Sequence, residues 1–149
     1  MKLANALLDR AALSQRIADL EHRLNNNAKV QDGDEPAENP EELISDLDEA
    51  INSLSELVTK INLINSTTIC NGETLTSLLS RRDALKMRLR ILRGFLSAAS
   101  SKVDRYSNKE IVVKSTVSVS ELQKDVDRYA KELRCLDELI QELNWTTEI

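Results

Sequence analysis

Apolar residues recur in strict three-four alternation along the last helical stretch of the chain, residues 119–143. The positions are Val119, Leu122, Val126, Tyr129, Leu133, Leu136, Ile140 and Leu143. A helix with such an a/d seam is stable only when another helix covers the seam. The pattern therefore predicts that the chain folds as an assembly of long helices that bury their seams on one another.

The same alternation recurs in two earlier segments. It runs through Leu3, Ala6, Arg10, Leu13, Ile17, Leu20 and Leu24, and again through Leu75, Leu78, Arg82, Leu85, Leu89, Leu92, Leu96 and Ala99. A broader apolar stripe over residues 40–64 is typical of a helix with two neighbours. We predict a mainly α fold, an antiparallel four-helix bundle with coiled-coil-like seams and helices over about 2–24, 40–64, 75–100 and 119–143.

Local signals support these helix boundaries. Asn39 is a good helix cap, Pro40 suits the first helical position, and the two glutamates that follow are favoured in the first turn. Ser118 with Glu121 forms a capping box that opens the last helix. Asn71 followed by glycine is a turn signal in the connector before the third helix.

One short strand is also predicted. Apolar and polar residues alternate over residues 111–117, which favours a strand. A lone strand needs a partner, and residues 29–31 or 68–70 are the two candidates. The expected β structure is thus a minor two- or three-stranded element beside the helices.

Length and composition limit the fold and the location. A chain of 149 residues is expected to form a single domain, residues 1–149. The start of the chain is shorter and more polar than a signal-peptide core, and no stretch is apolar enough for a transmembrane helix, so a cytoplasmic location is expected. Cys70 and Cys135 are too few for a disulfide framework, and reduced thiols are expected.

Signals of catalysis are mostly missing from the sequence. The single histidine, His22, lies off the seam of its helix, and a zinc site or a catalytic triad would need partners that the sequence does not supply. There is no glycine-rich phosphate-binding motif, and Cys135 beside Leu136 is expected to be a buried packing residue. We therefore predict a protein that is not an enzyme, with no metal site and no cofactor.

Charge is distributed unevenly along the chain. Residues 30–59 contain ten acids and no base, whereas residues 81–93 contain six bases and one acid. Complementary charges of this kind favour packing of the second helix against the third, within one chain or between copies. A nucleic-acid partner is not expected, because the net charge is -5 and no aromatic platform accompanies the bases.

Arginine occupies one seam position in each of two helices. In an up-down-up-down bundle Arg10 and Arg82 would lie at one level, near Glu56, Asp137 and Glu138. A charge that faces a core must be paired, so these residues predict a polar layer. The layer either fixes the helix register or forms a pocket for a small anion, unless both arginines extend outward to solvent.

Trp145, the only tryptophan, follows the last seam leucine and Asn144. Its amphipathic ring suits either a plug at the end of the bundle or an anchor in a subunit interface.

Several strings in the chain carry a family resemblance. DRYSNKEI at 104–111, STVSVSELQKDVD at 115–127 and IQELNWTTE at 140–148 are similar to sequences of the septicolysin-like family of small bacterial proteins. The resemblance implies a soluble, mostly helical protein of unassigned role, and the family name implies a cytolysin.

Three functions remain open from the sequence. The first is a non-enzymatic interaction or scaffold protein of the bacterial cytoplasm, self-associating as a homo-oligomer because broad apolar stripes leave surface for another copy. The second, implied by the resemblance, is a membrane-active cytolysin, which is the only case in which a membrane would be a partner. The third is a small-anion binder at the Arg10/Arg82 layer.

Overall fold

The computed structural model describes residues 1–101 and 112–149. Its helices are α1 (Leu3–Asn26), α2 (Pro40–Thr67), α3 (Leu75–Ser100) and α4 (Val119–Thr146), with two short strands, β1 (Ile69–Cys70) and β2 (Glu73–Thr74). The prediction of a mainly α fold with four long helices is confirmed. The helices begin within one residue of the predicted starts, and three of them run two or three residues beyond the predicted ends.

The chain divides into two compact units. Unit 1 comprises residues 1–74 and 142–149, and unit 2 comprises residues 75–141. The expectation of a single domain over residues 1–149 stays a prediction.

In unit 1, α1 and α2 pack side by side in antiparallel directions. Buried Leu20 near the end of α1 meets Leu43 and Ala50 near the start of α2. Ile17, Leu24 and Leu47 pack around this cluster. The small side chain of Ala50, only 1% exposed, allows the two helices to approach closely.

The connector between α1 and α2 is fastened by Asn27, which is buried. The Asn27 side chain donates to the carbonyl oxygen of Arg23 at 2.8 Å and accepts from the backbone N–H of Glu38 at 3.0 Å. Asn39 then caps α2, its side chain accepting from the backbone N–H of Glu41 at 3.0 Å, as the sequence predicts. The loop therefore holds its two helices in a fixed hairpin.

The predicted minor β element is present, and the candidate partner segment 68–70 supplies one of its strands, but the described residues of the strand predicted at 111–117 take no part in it. Residues 112–117 belong to no strand, and Ile111 lies outside the described residues. The observed sheet is a hairpin in which Ile69 pairs with Thr74 and Cys70 with Glu73. Asn71 and Gly72 have φ values of 52° and 84°, as a type I′ turn requires. A two-residue turn pairs neighbouring residues with little loss of chain entropy, whereas 111–117 would have needed a distant partner.

The two ends of the chain pair with each other within unit 1. Lys2 and Glu148 form an isolated antiparallel bridge. The backbone N–H of Leu3 donates to Thr147 at 2.9 Å, and that of Ile149 donates to Met1 at 2.9 Å. This bridge ties the start of α1 to the residues that follow α4.

In unit 2, α3 and α4 run antiparallel. Arg81 shares a groove with Cys135 and Leu136, whereas Arg88, two turns later in α3, lies over Tyr129, earlier in α4. Every residue of the predicted α4 seam is buried or half-buried. The seam therefore does mark the inward face of α4, although the coiled-coil form of packing stays a prediction.

Candidate interaction surfaces

An apolar row is exposed on α3. Met87, Ile91 and Phe95 are 59%, 54% and 44% exposed. Residues four apart lie on one face of a helix, so the three side chains form a continuous row. Ala84 and Leu92 line a shallow groove beside it. Single exposed apolar residues are ordinary on a protein surface, whereas a contiguous row of this kind is a candidate surface for contact with another molecule.

Positive charge borders this row. Arg88 and Arg90 lie three residues from Ile91 and Met87 respectively, and both are exposed. Among the described residues of unit 2, neither arginine forms an ion pair, whereas Arg82 is paired with Asp83 at 3.1 Å. The α3 face thus combines apolar side chains with cations whose hydrogen-bonding groups are available.

The opposite combination occurs on α2. Ile44 and Ile51 are 50% and 45% exposed. Glu41 and Asp48 share their face, because each lies three or four residues from one of these isoleucines. Neither carboxylate forms an ion pair with a described residue of unit 1. We call this the α2 acidic face, and the Met87–Ile91–Phe95 row with its arginines the α3 basic face.

A third surface lies on α4 alone. Ala130 and Leu133 form the floor of an open groove that is bordered by Arg134, Asp137 and Glu138. Two of the acids expected in the polar layer therefore line this groove, on the helix that also carries Arg134.

The arginines of the predicted polar layer lie in different surroundings. Arg10 is exposed on α1, and Glu56 is exposed on α2, both in unit 1. Arg82, in unit 2, binds Asp83, its own neighbour on α3, rather than either acid of α4. The side chains of long cations extend toward water even from a seam position, which explains the exposure of Arg10. The layer as an anion site stays a prediction.

Trp145 does not plug the end of the helices, because it is 55% exposed. Asn144 beside it is buried at 9% exposure. Consecutive helical residues point about 100° apart, so burial of Asn144 directs the indole outward. A role for Trp145 as an interface anchor stays a prediction.

The reactive side chains that the sequence singled out are dispersed. His22 hydrogen-bonds to the side chain of Asn26 at 3.1 Å. Both cysteines are free thiols, and Cys135 is exposed, so the prediction of a buried packing role for it is wrong. Within residues 1–101 and 112–149, no cluster of three histidine, cysteine or acidic side chains is placed to hold a metal ion.

No helix among the described residues is both long and apolar enough to cross a membrane.

One arrangement was not predicted from the sequence at all. Arg88 from α3 and Arg128 from α4 both lie over the ring of Tyr129. The basic run of α3 and the seam position of Tyr129 were both visible in the sequence. The relative register of the two helices, which brings them together, was not.

Comparisons with known proteins correct the family resemblance. The model of a family of unknown function, DUF6847, matches residues 10–149. A functionally unknown conserved protein from Corynebacterium diphtheriae, known from its crystal structure, is similar over 100% of this chain and 98% of its own, with 42% identity and a TM-score of 0.93. No curated protein matches the chain. The assignment to the septicolysin-like family is therefore wrong, and the cytolytic function that rested on it loses its basis: the chain belongs to DUF6847.

Proposed function

We propose that this protein is a non-enzymatic interaction protein that self-associates, with the α2 acidic face of one copy binding the α3 basic face of another. The observation that carries the proposal is the exposed row of Met87, Ile91 and Phe95. Covering such a row removes apolar surface from water, at about 25 cal/mol for each Å² buried.

The charges beside the apolar row favour a second copy of the chain as its binding partner. Two α3 basic faces would repel each other, since arginines border both. The α2 acidic face offers Ile44 and Ile51 to the apolar row, and Glu41 and Asp48 to its arginines. Both halves of the contact are present in every copy, and the assembly closes as a dimer if a two-fold axis generates the contact twice; without such an axis it continues as a ring or an open chain.

The helices are long enough for such a contact. At 1.5 Å per residue, a helix of 26 to 28 residues is about 40 Å long. Two such contacts related by symmetry offer room for the roughly 800 Å² per partner that a specific interface usually buries.

The first test perturbs the apolar row. We expect wild-type protein to have the mass of a dimer in light scattering coupled to size exclusion. Ile91→Glu places a carboxylate in the row and is expected to shift the mass to that of a monomer. Ala11→Glu is the matched control, because Ala11 is exposed on α1, outside both proposed faces, and receives the same charge. A monomeric wild type with full helicity would refute self-association.

The second test exchanges charges across the proposed contact. Asp48→Lys and Arg90→Glu are each expected to weaken the dimer, because each places like charges opposite one another. The double variant restores the attraction with its polarity reversed, and is expected to recover most of the affinity in sedimentation equilibrium. Additive weakening in the double variant would show that α2 and α3 do not meet across the interface.

A further inference from the structure

Two arginines from different helices converge on one aromatic ring in unit 2. The guanidinium carbon of Arg88 lies 4.9 Å from the centroid of the Tyr129 ring, and that of Arg128 lies 5.0 Å from the same point. The two guanidinium carbons are therefore at most about 10 Å apart. We call these three residues the arginine-tyrosine cluster.

The ring orders the two cations without neutralising them. An aromatic face attracts a guanidinium through its quadrupole and shields one side of it from water. The N–H groups at the edge of the guanidinium plane remain available, because the ring supplies no acceptor in that plane. The arginines are thus pre-oriented, and their donors can still bind a ligand.

The nearby charges leave an excess of positive charge at the cluster. Arg128 forms an ion pair with Asp125 at 3.3 Å, and both side chains are more than half exposed. Arg88 has no acidic partner among the described residues of unit 2. The cluster therefore carries one uncompensated positive charge, that of Arg88, which a bound anion would balance.

We propose that the arginine-tyrosine cluster is a binding site for a phosphate dianion, either free or as a small phosphate monoester. A guanidinium binds two oxygens of one phosphate through parallel hydrogen bonds. Each guanidinium beside the Tyr129 ring offers such a fork, and a phosphate has three or four oxygens that can accept from it. A phosphate also presents several oxygens to the guanidinium N–H groups, which a spherical ion such as chloride does not.

The site is separate from the polar layer predicted at Arg10 and Arg82. It shares Arg88 with the α3 basic face, but both of its helices belong to unit 2 of one chain, so the site needs no second copy. Phosphate binding is therefore also measured on Ile91→Glu, which keeps Arg88, Arg128 and Tyr129 but is expected to be monomeric, so that failure of one proposal is distinguished from failure of the other.

The test is titration of the full chain with inorganic phosphate, followed by phosphorus NMR and by isothermal calorimetry in a buffer free of other oxyanions. We expect saturable binding of one phosphate per chain. Arg88→Gln and Arg128→Gln are each expected to weaken binding by about tenfold or more, since each removes a charge-assisted contact. Arg90→Gln is the matched control, because it removes one charge from α3 without touching the ring, and it is expected to bind like the wild type.

Tyr129→Leu distinguishes an ordered site from a diffuse positive surface. The variant keeps both arginines and an apolar side chain at this position of the α4 seam, but it removes the aromatic ring that orders the arginines. Phosphate binding is therefore expected to fall severalfold. Circular dichroism and thermal melting establish that each variant is folded. Binding that is not saturable, or that weakens equally in Arg88→Gln and Arg90→Gln, would overturn the proposal.

Two further titrations identify the source of the phosphate group. Glycerol phosphate is expected to compete with inorganic phosphate, whereas chloride at the same concentration is not. Vesicles containing phosphatidic acid present the same dianion at a surface. If the wild-type protein sediments with these vesicles and Arg88→Gln does not, the ligand is a lipid headgroup. If the wild-type protein stays in the supernatant, the ligand is a soluble phosphate.

Discussion

The Arg23 guanidinium on α1 binds the Glu38 carboxylate, fifteen residues later, with its Nε atom 3.1 Å from each carboxylate oxygen. Glu38 lies one residue before the cap of α2, so this ion pair joins the end of one helix to the start of the next. The Asn27 side chain also joins these two residues, because it hydrogen-bonds to the backbone of both.

The ion pair predicts an acid-sensitive loop. Hydrogen bonding from Arg23 lowers the pKa of the Glu38 carboxyl below its usual value near 4.5. A carboxylate with a lowered pKa contributes stability above its unfolded pKa and loses it as pH falls through the folded value. As the pH is lowered below about 4.5, the melting temperature of the wild-type protein is therefore expected to fall more steeply than that of Arg23→Met. Arg16→Met, an exposed change on the same helix, is the control expected to keep the wild-type slope.

Asn27 is expected to matter more for stability than the exposed ion pair. Asn27→Ala removes two hydrogen bonds and leaves the partly buried N–H of Glu38 without its acceptor. We expect a loss of about 1–3 kcal/mol in the free energy of unfolding, measured by urea denaturation. Asn25→Ala, at an exposed position two residues earlier, is expected to change it by less than about 0.5 kcal/mol. Equal effects of the two changes would mean that the Asn27 hydrogen bonds contribute nothing.

The helices were predictable because the sequence signals that determine them lie within each helical segment or directly beside it. Seam periodicity, the Asn39 cap and the Asn71–Gly72 turn are local, and all three agree with the structure. The strand predicted at 111–117 does not form over its described residues, 112–117, because alternation alone does not supply a pairing partner.

Contacts between helices were much less predictable. The polar layer assumed that Arg10 and Arg82 point inward at one level, but Arg10 is exposed and Arg82 turns to Asp83. The convergence of Arg88 and Arg128 on Tyr129 depends on the register of α3 against α4, which no local pattern specifies. A long flexible cation at a seam position has enough reach to leave the seam, so heptad position alone does not place its charge.

The β hairpin makes Gly72 sensitive to substitution. Its φ of 84° lies in the left-handed region, where a Cβ atom meets the following carbonyl oxygen. Gly72→Ala is expected to lower the free energy of unfolding by about 1–2 kcal/mol, even though no other atom lies within 4 Å of the new methyl group. Chemical denaturation measures the change, and an unaltered midpoint would contradict the turn conformation assigned to Asn71 and Gly72.

Gly94 is expected to behave in the opposite way. It lies inside α3 with ordinary helical geometry, and a Cβ atom built there meets nothing within 4 Å. Glycine loses more backbone entropy on folding than alanine does, so it weakens a helix interior by about 0.5–1 kcal/mol. Gly94→Ala is therefore expected to raise the free energy of unfolding by about that amount in the same denaturation experiment. If it instead lowered stability, α3 would have to bend or pack closely at Gly94, and the neighbouring row of Met87, Ile91 and Phe95 would not form one straight exposed face.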